Sequence, residues 1–117
     1  MLIPAYYSLV QICRRDERAN VGVLVFCPSK GFLEIKTRID LDRLGTFFRE
    51  PLNGVVEAVS AIVYRINHEK FYNCSQLDRW IDKRGGEIVL TNLRSMKAIK
   101  SLDEEIDDLL DVYVPQG

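Results

Sequence analysis

The chain has 117 residues, 47% of them hydrophobic and 28% charged, which excludes a disordered composition and suits one domain over residues 1–117. Sixteen basic against 17 acidic side chains leave a net charge of −1, which sets a strongly basic nucleic-acid binder aside. The opening Met1-Leu2-Ile3-Pro4 carries no signal-peptide pattern, and the longest uncharged run, Met1 to Cys13, is too short to cross a bilayer.

Ala5 to Cys13 is rich in aromatic and β-branched residues and free of breakers, which predicts a first strand. Arg14 to Arg18 is a polar connection. Asn20 to Cys27 is a nearly continuous apolar run, the pattern of a strand covered on both faces. Gly22 inside it marks a bulge or a close approach by another segment. Pro28 to Gly31 reads as a turn, and Phe32 to Lys36 alternates as a third strand with one wetter face. The connections are too short for crossovers, so these three form an antiparallel meander. A short helix is expected over Leu41 to Phe48. Pro51 suits the first position of a longer one, with Leu52, Val55, Val56, Val59, Ile62, Val63 and Ile66 as its apolar stripe. Ser75-x-x-Asp78 resembles a capping box before Leu77, Trp80 and Ile81, with Gly85-Gly86 ending that helix. Glu87 to Leu90, extending toward Arg94, reads as a fourth strand. Ser101-x-x-Glu104 is a capping box for a last helix burying Leu102, Ile106, Leu109, Leu110 and Tyr113, with Pro115 after its end. The expected fold class is α+β: an antiparallel sheet of about four strands, packed with three to four helices.

Cys13, Cys27 and Cys74 show no metal-ligand spacing, and His68 is the one histidine. Cys13 and Cys27 fall at opposite ends of the expected hairpin, about 25 Å apart at strand rise, so free thiols in a reducing cytosol are expected. No Gly-rich phosphate loop and no nucleophile–base constellation stands out, and neither a metal site nor a cofactor is expected.

Polar groups concentrate in three places. Arg14, Arg15, Asp16, Glu17, Arg18 and Asn20 lie at one end of the hairpin, as an anion site or as a self-neutralising loop. Arg38, Asp40, Asp42 and Arg43 follow the third strand, where Asp40 suits a helix cap. In a meander the two groups share one sheet end, so Arg18, Asn20, Arg38 and Asp40 can converge as a ligand or partner site, or as an ion-pair network closing the sheet. The last helix carries Asp103, Glu104, Glu105, Asp107, Asp108 and Asp111 and no base, leaving residues 1–100 with 16 basic against 11 acidic side chains, +5. That acidic face either docks a basic partner surface or keeps the outer face solvated.

The stretch Asp16-Glu17-Arg18-Ala19-Asn20-Val21-Gly22-Val23-Leu24-Val25-Phe26 resembles the E-R-x-N-V-G-V-x-x-F core strand of a family of small bacterial domains of unknown function. Tyr7-Ser8, Arg38-Ile39-Asp40 with Arg43, Leu90-Thr91 and the closing Glu105 to Val114 helix fit the same family. Some members are encoded beside HipA-like kinases. The resemblance implies no activity. It points to Glu17, Arg18, Asn20, Gly22, Arg38, Asp40 and Arg43, and to an accessory or regulatory protein partner in a toxin–antitoxin-like or phage-related setting.

The leading expectation is therefore a non-enzymatic cytosolic module that binds a protein partner, such as a HipA-like kinase, through the sheet-end cluster, the acidic helix, or both. The alternative is a small phosphate- or nucleotide-handling enzyme, with Arg18, Arg38 and Arg43 on the phosphate, Glu17 or Asp40 as base or metal ligand, and carboxylate-held magnesium. Nucleic-acid binding ranks last, membrane association is not expected, and an uncovered edge strand leaves a homodimer open.

Overall fold

The computed structural model describes residues 3–82 and 86–114. Three strands, β1 (Ile3–Arg14), β2 (Glu17–Cys27) and β3 (Phe32–Thr37), form the expected meander, with one 3-10 turn over Pro28–Lys30 between the last two. Helices α1 (Leu41–Phe48), α2 (Val55–His68) and α3 (Cys74–Asp82) follow, then β4 (Ile88–Leu90), β5 (Arg94–Ala98) and α4 (Leu102–Tyr113). The architecture is α+β, as expected, but the sheet has five strands. The single late strand expected from Glu87 toward Arg94 is two. β4 pairs with the second half of β1 and β5 with its first half, so both lie on one edge in the order β3-β2-β1-β4.

The interruption between them keeps its backbone satisfied. Thr91 N–H donates to Leu9 O at 3.0 Å, and Thr91 Oγ1 accepts from Leu9 N–H at 2.8 Å. Ser8, fully buried, donates from Oγ to Thr91 O at 2.5 Å. A threonine hydroxyl thus takes the place of the missing ladder carbonyl, as a buried N–H requires a partner.

β2 is central, and residues 21–27 are all buried. One face packs against α1, α2 and α3 through Val21, Leu24 and Phe26 with Leu44, Phe48, Val55, Val59, Leu77 and Trp80. The other packs against α4 through Leu9, Val23 and Val25 with Ile106, Leu110 and Val114. The register shifts at Val10/Gln11, opposite Asn20 to Gly22. This bulge carries one extra residue and changes the phase of β2. Ala19 and Val21 therefore join Leu24 in the three-helix core, while Asn20 joins Val23 on the α4 face. A Cβ on Gly22 would lie 2.7 Å from Lys36 O, so the bulge and the close approach occur together.

Three local expectations are corrected. Pro51 does not open the second helix: Gly54 takes φ 78 as its N-cap, and α2 begins at Val55, leaving Leu52 buried in the connection. A left-handed residue cannot continue a right-handed helix, so the apolar stripe starts three residues later than its periodicity indicates. Ser75 and Asp78 do not form the α3 capping box. Asn73 Oδ1 accepts from Gln76 N–H at 3.0 Å, and Asp78 Oδ1 accepts from Leu93 N–H at 3.0 Å, tying α3 to the strand interruption. The polar connection Arg14 to Arg18 contracts to Arg15-Asp16, because Arg14 pairs with Glu17 and Cys13 with Arg18 inside the ladder. The Ser101/Glu104 box is present: Ser101 Oγ accepts from Glu104 N–H at 3.2 Å. Gly85 and Pro115 lie outside the described residues. Among those residues no helix is long and apolar enough to cross a membrane.

Candidate functional site

The expected convergence of Arg18, Asn20, Arg38 and Asp40 is half realised. β3 ends at Thr37, level with Gly22 and short of the hairpin tip. Arg38 N–H donates to Val21 O at 2.7 Å, which brings its side chain beside Asn20. Both side chains meet the C-terminus of α4. Asn20 Nδ2 donates to Tyr113 O at 3.1 Å; Arg38 donates from Nη1 to Val114 O and from Nη2 to Asp111 Oδ1, each at 3.0 Å. Gln11 Nε2 donates to Asn20 Oδ1 at 2.9 Å and fixes the amide's direction. The last carbonyls of a helix have no intrahelical donor, and these two residues supply one.

Asp40 lies apart from this group. Its Oδ1 accepts from Arg43 N–H at 3.1 Å as the α1 N-cap. Arg43, in the same turn, buries Nε and Nη2 without a hydrogen-bond partner. Glu17 and Arg18 are exposed on β2 near the hairpin tip. Arg14, which precedes them, is held between α1's exit and β4's entry: Nη1 to Glu50 Oε1 at 3.0 Å and Nε to Glu87 Oε1 at 2.6 Å. Its hydrogen bonds to those carboxylates raise its pKa further, beginning with Glu87, so it remains a cation.

The acidic helix docks within its own chain. Asp107 pairs with Lys36 at 2.8 Å, Asp108 with Lys100 at 2.6 Å and Asp111 with Arg38 at 3.0 Å. Glu105 Oε1 accepts from the N–H groups of Ile99 and Lys100. The +5 surplus of residues 1–100 thus finds part of its counter-charge in α4. The bonds to Asp107 and Asp108 raise the pKa values of Lys36 and Lys100.

Several exposed bases have no such partner among the described residues, and two of them share a cleft beside the strand interruption. Arg18 and Arg94 line one cleft of about 390 Å³ with Ile81, Asp82, Val89, Leu90, Thr91 and Asn92. Asp82 at its rim accepts from Asn92 Nδ2 at 3.0 Å. Close by, Tyr7 and Tyr113 stack at 5.8 Å with their hydroxyls 3.2 Å apart, which raises the Tyr113 pKa, while Arg94 pulls it the other way. Sequence reasoning missed Arg94, because it assigned the residue to the end of one continuous strand. The signal was Thr91-Asn92, two turn-prone residues inside that run.

Among the described residues no group of three or more His, Cys, Asp or Glu side chains is placed to hold a metal ion. His68 stacks on Tyr64 at 3.9 Å, and Nδ1 lies 2.8 Å from Tyr64 O. Burial holds the Cys74 thiol above the ordinary value, and the neighbouring Tyr6 hydroxyl pulls it the other way.

Comparison with known families covers nearly all of this architecture, from Tyr7 in β1 to Val114 at the end of α4. The chain belongs to the family described as Protein of unknown function (DUF3037), matched over residues 7–114. The matched ends are the two segments that meet in the structure through Tyr7 and Tyr113. No curated protein and no solved structure matches the chain. The family description carries no activity, so the functional reading rests on the geometry above.

Proposed function

We propose that this member of the family is a non-enzymatic, cytosolic protein-interaction module that receives an acidic segment of a partner protein in the Arg18–Arg94 cleft. The observation that carries this reading is that two arginines without an ion-pair partner among the described residues share one cleft. Arg14, Lys36, Arg38 and Lys100 are each committed to a carboxylate of the same chain, whereas Arg18 and Arg94 face one cleft with no ion-pair partner among the described residues. An arginine pair presents two planar forks of donors, suited to carboxylates on an extended segment. The resemblance to domains encoded beside HipA-like kinases names the first partner to test. The enzyme alternative loses two of its residues to structural duty: Arg38 closes α4, and Asp40 caps α1.

The test is purification of the tagged protein from its host at low salt, followed by affinity measurement with whatever co-elutes in stoichiometric amount. Arg18→Ala/Arg94→Ala should weaken that affinity at least tenfold while the melting temperature stays near wild type. Equal affinity in the double variant overturns the cleft's role. Stabilisation of the wild type by a nucleotide with magnesium, lost in the same variant, would instead favour the phosphate-handling alternative.

A further inference from the structure

The sheet has two outer edges, and they differ in what they offer another strand. The β4–β5 edge is broken at Thr91 to Leu93, where Asp78 and Asp82 of α3 draw the chain aside. Its longer part, β5, exposes Arg94 and Lys97. A short, interrupted edge with like charges discourages strand addition.

β3 is the opposite case. It runs unbroken from Phe32 to Thr37 and pairs only with β2 among the described strands. Arg38 N–H donates to Val21 O one step beyond the Gly22–Thr37 pair, which sets the phase of that ladder. In an antiparallel ladder the hydrogen-bonded pairs alternate. Lys36, Glu34 and Phe32 therefore spend their main-chain groups on β2, and Leu33, Ile35 and Thr37 direct theirs outward. The side chains alternate likewise. Leu33 and Ile35 pack into the three-helix core, Phe32 packs with α4, and Lys36 bonds Asp107 of α4. Glu34 shares that second face, and its charge helps to raise the Lys36 pKa. Glu34 has no ion-pair partner among the described residues.

We propose that β3 pairs with β3 of a second copy of this chain, antiparallel about a two-fold axis through Ile35. In this register the outward groups match: Ile35 faces its own copy, and Leu33 faces Thr37. It also sets Glu34 opposite Lys36 of the other copy, and Lys36 opposite the other Glu34. Such residues sit about 4.5–5.5 Å apart at Cβ, where opposite charges attract. A two-fold axis makes each contact occur twice, as a self-complementary surface requires. Two sheets of five strands then become one continuous sheet. The inference is independent of the Arg18–Arg94 cleft, which lies at the other edge.

The test is sedimentation of the full chain over a concentration series, with Glu34→Lys and Lys36→Glu as probes. The wild type should sediment as a dimer with its Leu33, Ile35 and Thr37 amides protected from hydrogen exchange. Glu34→Lys, which breaks no pair within the protomer, should weaken dimerisation at least tenfold. Lys36→Glu alone should do the same. An equimolar mixture of the two variants should recover a dimer, because an edge carrying two lysines then meets an edge carrying two glutamates. A wild type that remains monomeric throughout, or a dimer with those three amides unprotected, overturns the proposal. Should Lys36→Glu unfold through loss of its bond to Asp107, the exchange pattern of the wild type and the Glu34→Lys result decide it.

Discussion

Asn20 and Tyr113 are 93 residues apart in sequence and joined by one hydrogen bond, Nδ2 to carbonyl, at 3.1 Å. Asn20 reaches that carbonyl only because the bulge at Gly22 turns it to the α4 face. Replacing Asn20 by Asp keeps the shape and removes the donor, leaving a carboxylate against a helix C-terminus that already carries negative partial charge. We expect a loss of about 2 kcal/mol, and faster hydrogen exchange in α4 than in β1 and β2. Arg38→Ala should act in the same direction, through Val114 and Asp111.

Gly22→Ala should be costly for a different reason. Its new methyl group would meet Lys36 O at 2.7 Å and the Thr37 Cγ2 at 2.9 Å. Backbone must move, at about 1–3 kcal/mol for an overpacked site. Chemical denaturation reads this directly. A midpoint equal to wild type would show that β3 can shift at no cost.

At the strand interruption, Thr91→Val keeps the volume and deletes the acceptor for Leu9 N–H. A buried N–H left alone costs about 1–3 kcal/mol. Thr91→Ser retains the hydroxyl and should lose much less, so the pair of melting curves separates the hydrogen bond from the packing.

Arg49 holds φ 61 as the residue that closes α1. Glycine takes this conformation without a Cβ penalty, so Arg49→Gly should stabilise the fold by about 1 kcal/mol. Differential scanning calorimetry should show a higher Tm.

Alkaline pH should destabilise the protein. Burial raises the Cys74 pKa, and hydrogen bonds with Tyr7, Asp107 and Asp108 raise those of Tyr113, Lys36 and Lys100 respectively. Each native group holds its proton to higher pH than in the unfolded chain. The associated stability is complete below the unfolded pKa and is lost as pH rises through the folded one. The decline begins near the ordinary thiol value of 9.0. Cys74→Ala should move its onset upward, toward the tyrosine and lysine range, in melts taken across an alkaline pH series.

The meander was legible because β2's unbroken apolar run fits a strand covered on both faces and its connections are too short for crossovers; Gly22, read as a bulge or a close approach, is the site of both. The last helix was legible through Ser101 and Glu104. The start of α2 was not, because Pro51 and the periodic valines agree with a helix that only Gly54's left-handed backbone interrupts. For the site, sequence reasoning placed Asn20 and Arg38 together but could not see what lay between them. The carbonyls they serve belong to residues more than 70 positions away. Asp107 and Asp111 of α4 looked free for the same reason: their partners Lys36 and Arg38 are near only after the sheet has formed.

The position of α4 after every strand that it covers also sets an order of events during synthesis. Leu9, Val23 and Val25 have left the ribosome long before Ile106, Leu110 and Val114, the residues that cover them. Until then one side of a nearly complete sheet is bare, and the carbonyl acceptors of Asn20 and Arg38 do not yet exist. A message truncated before Leu102 would yield a chain with an exposed apolar face, a substrate for chaperones and proteases. Quality control can therefore distinguish a chain that has docked α4 from one that has not.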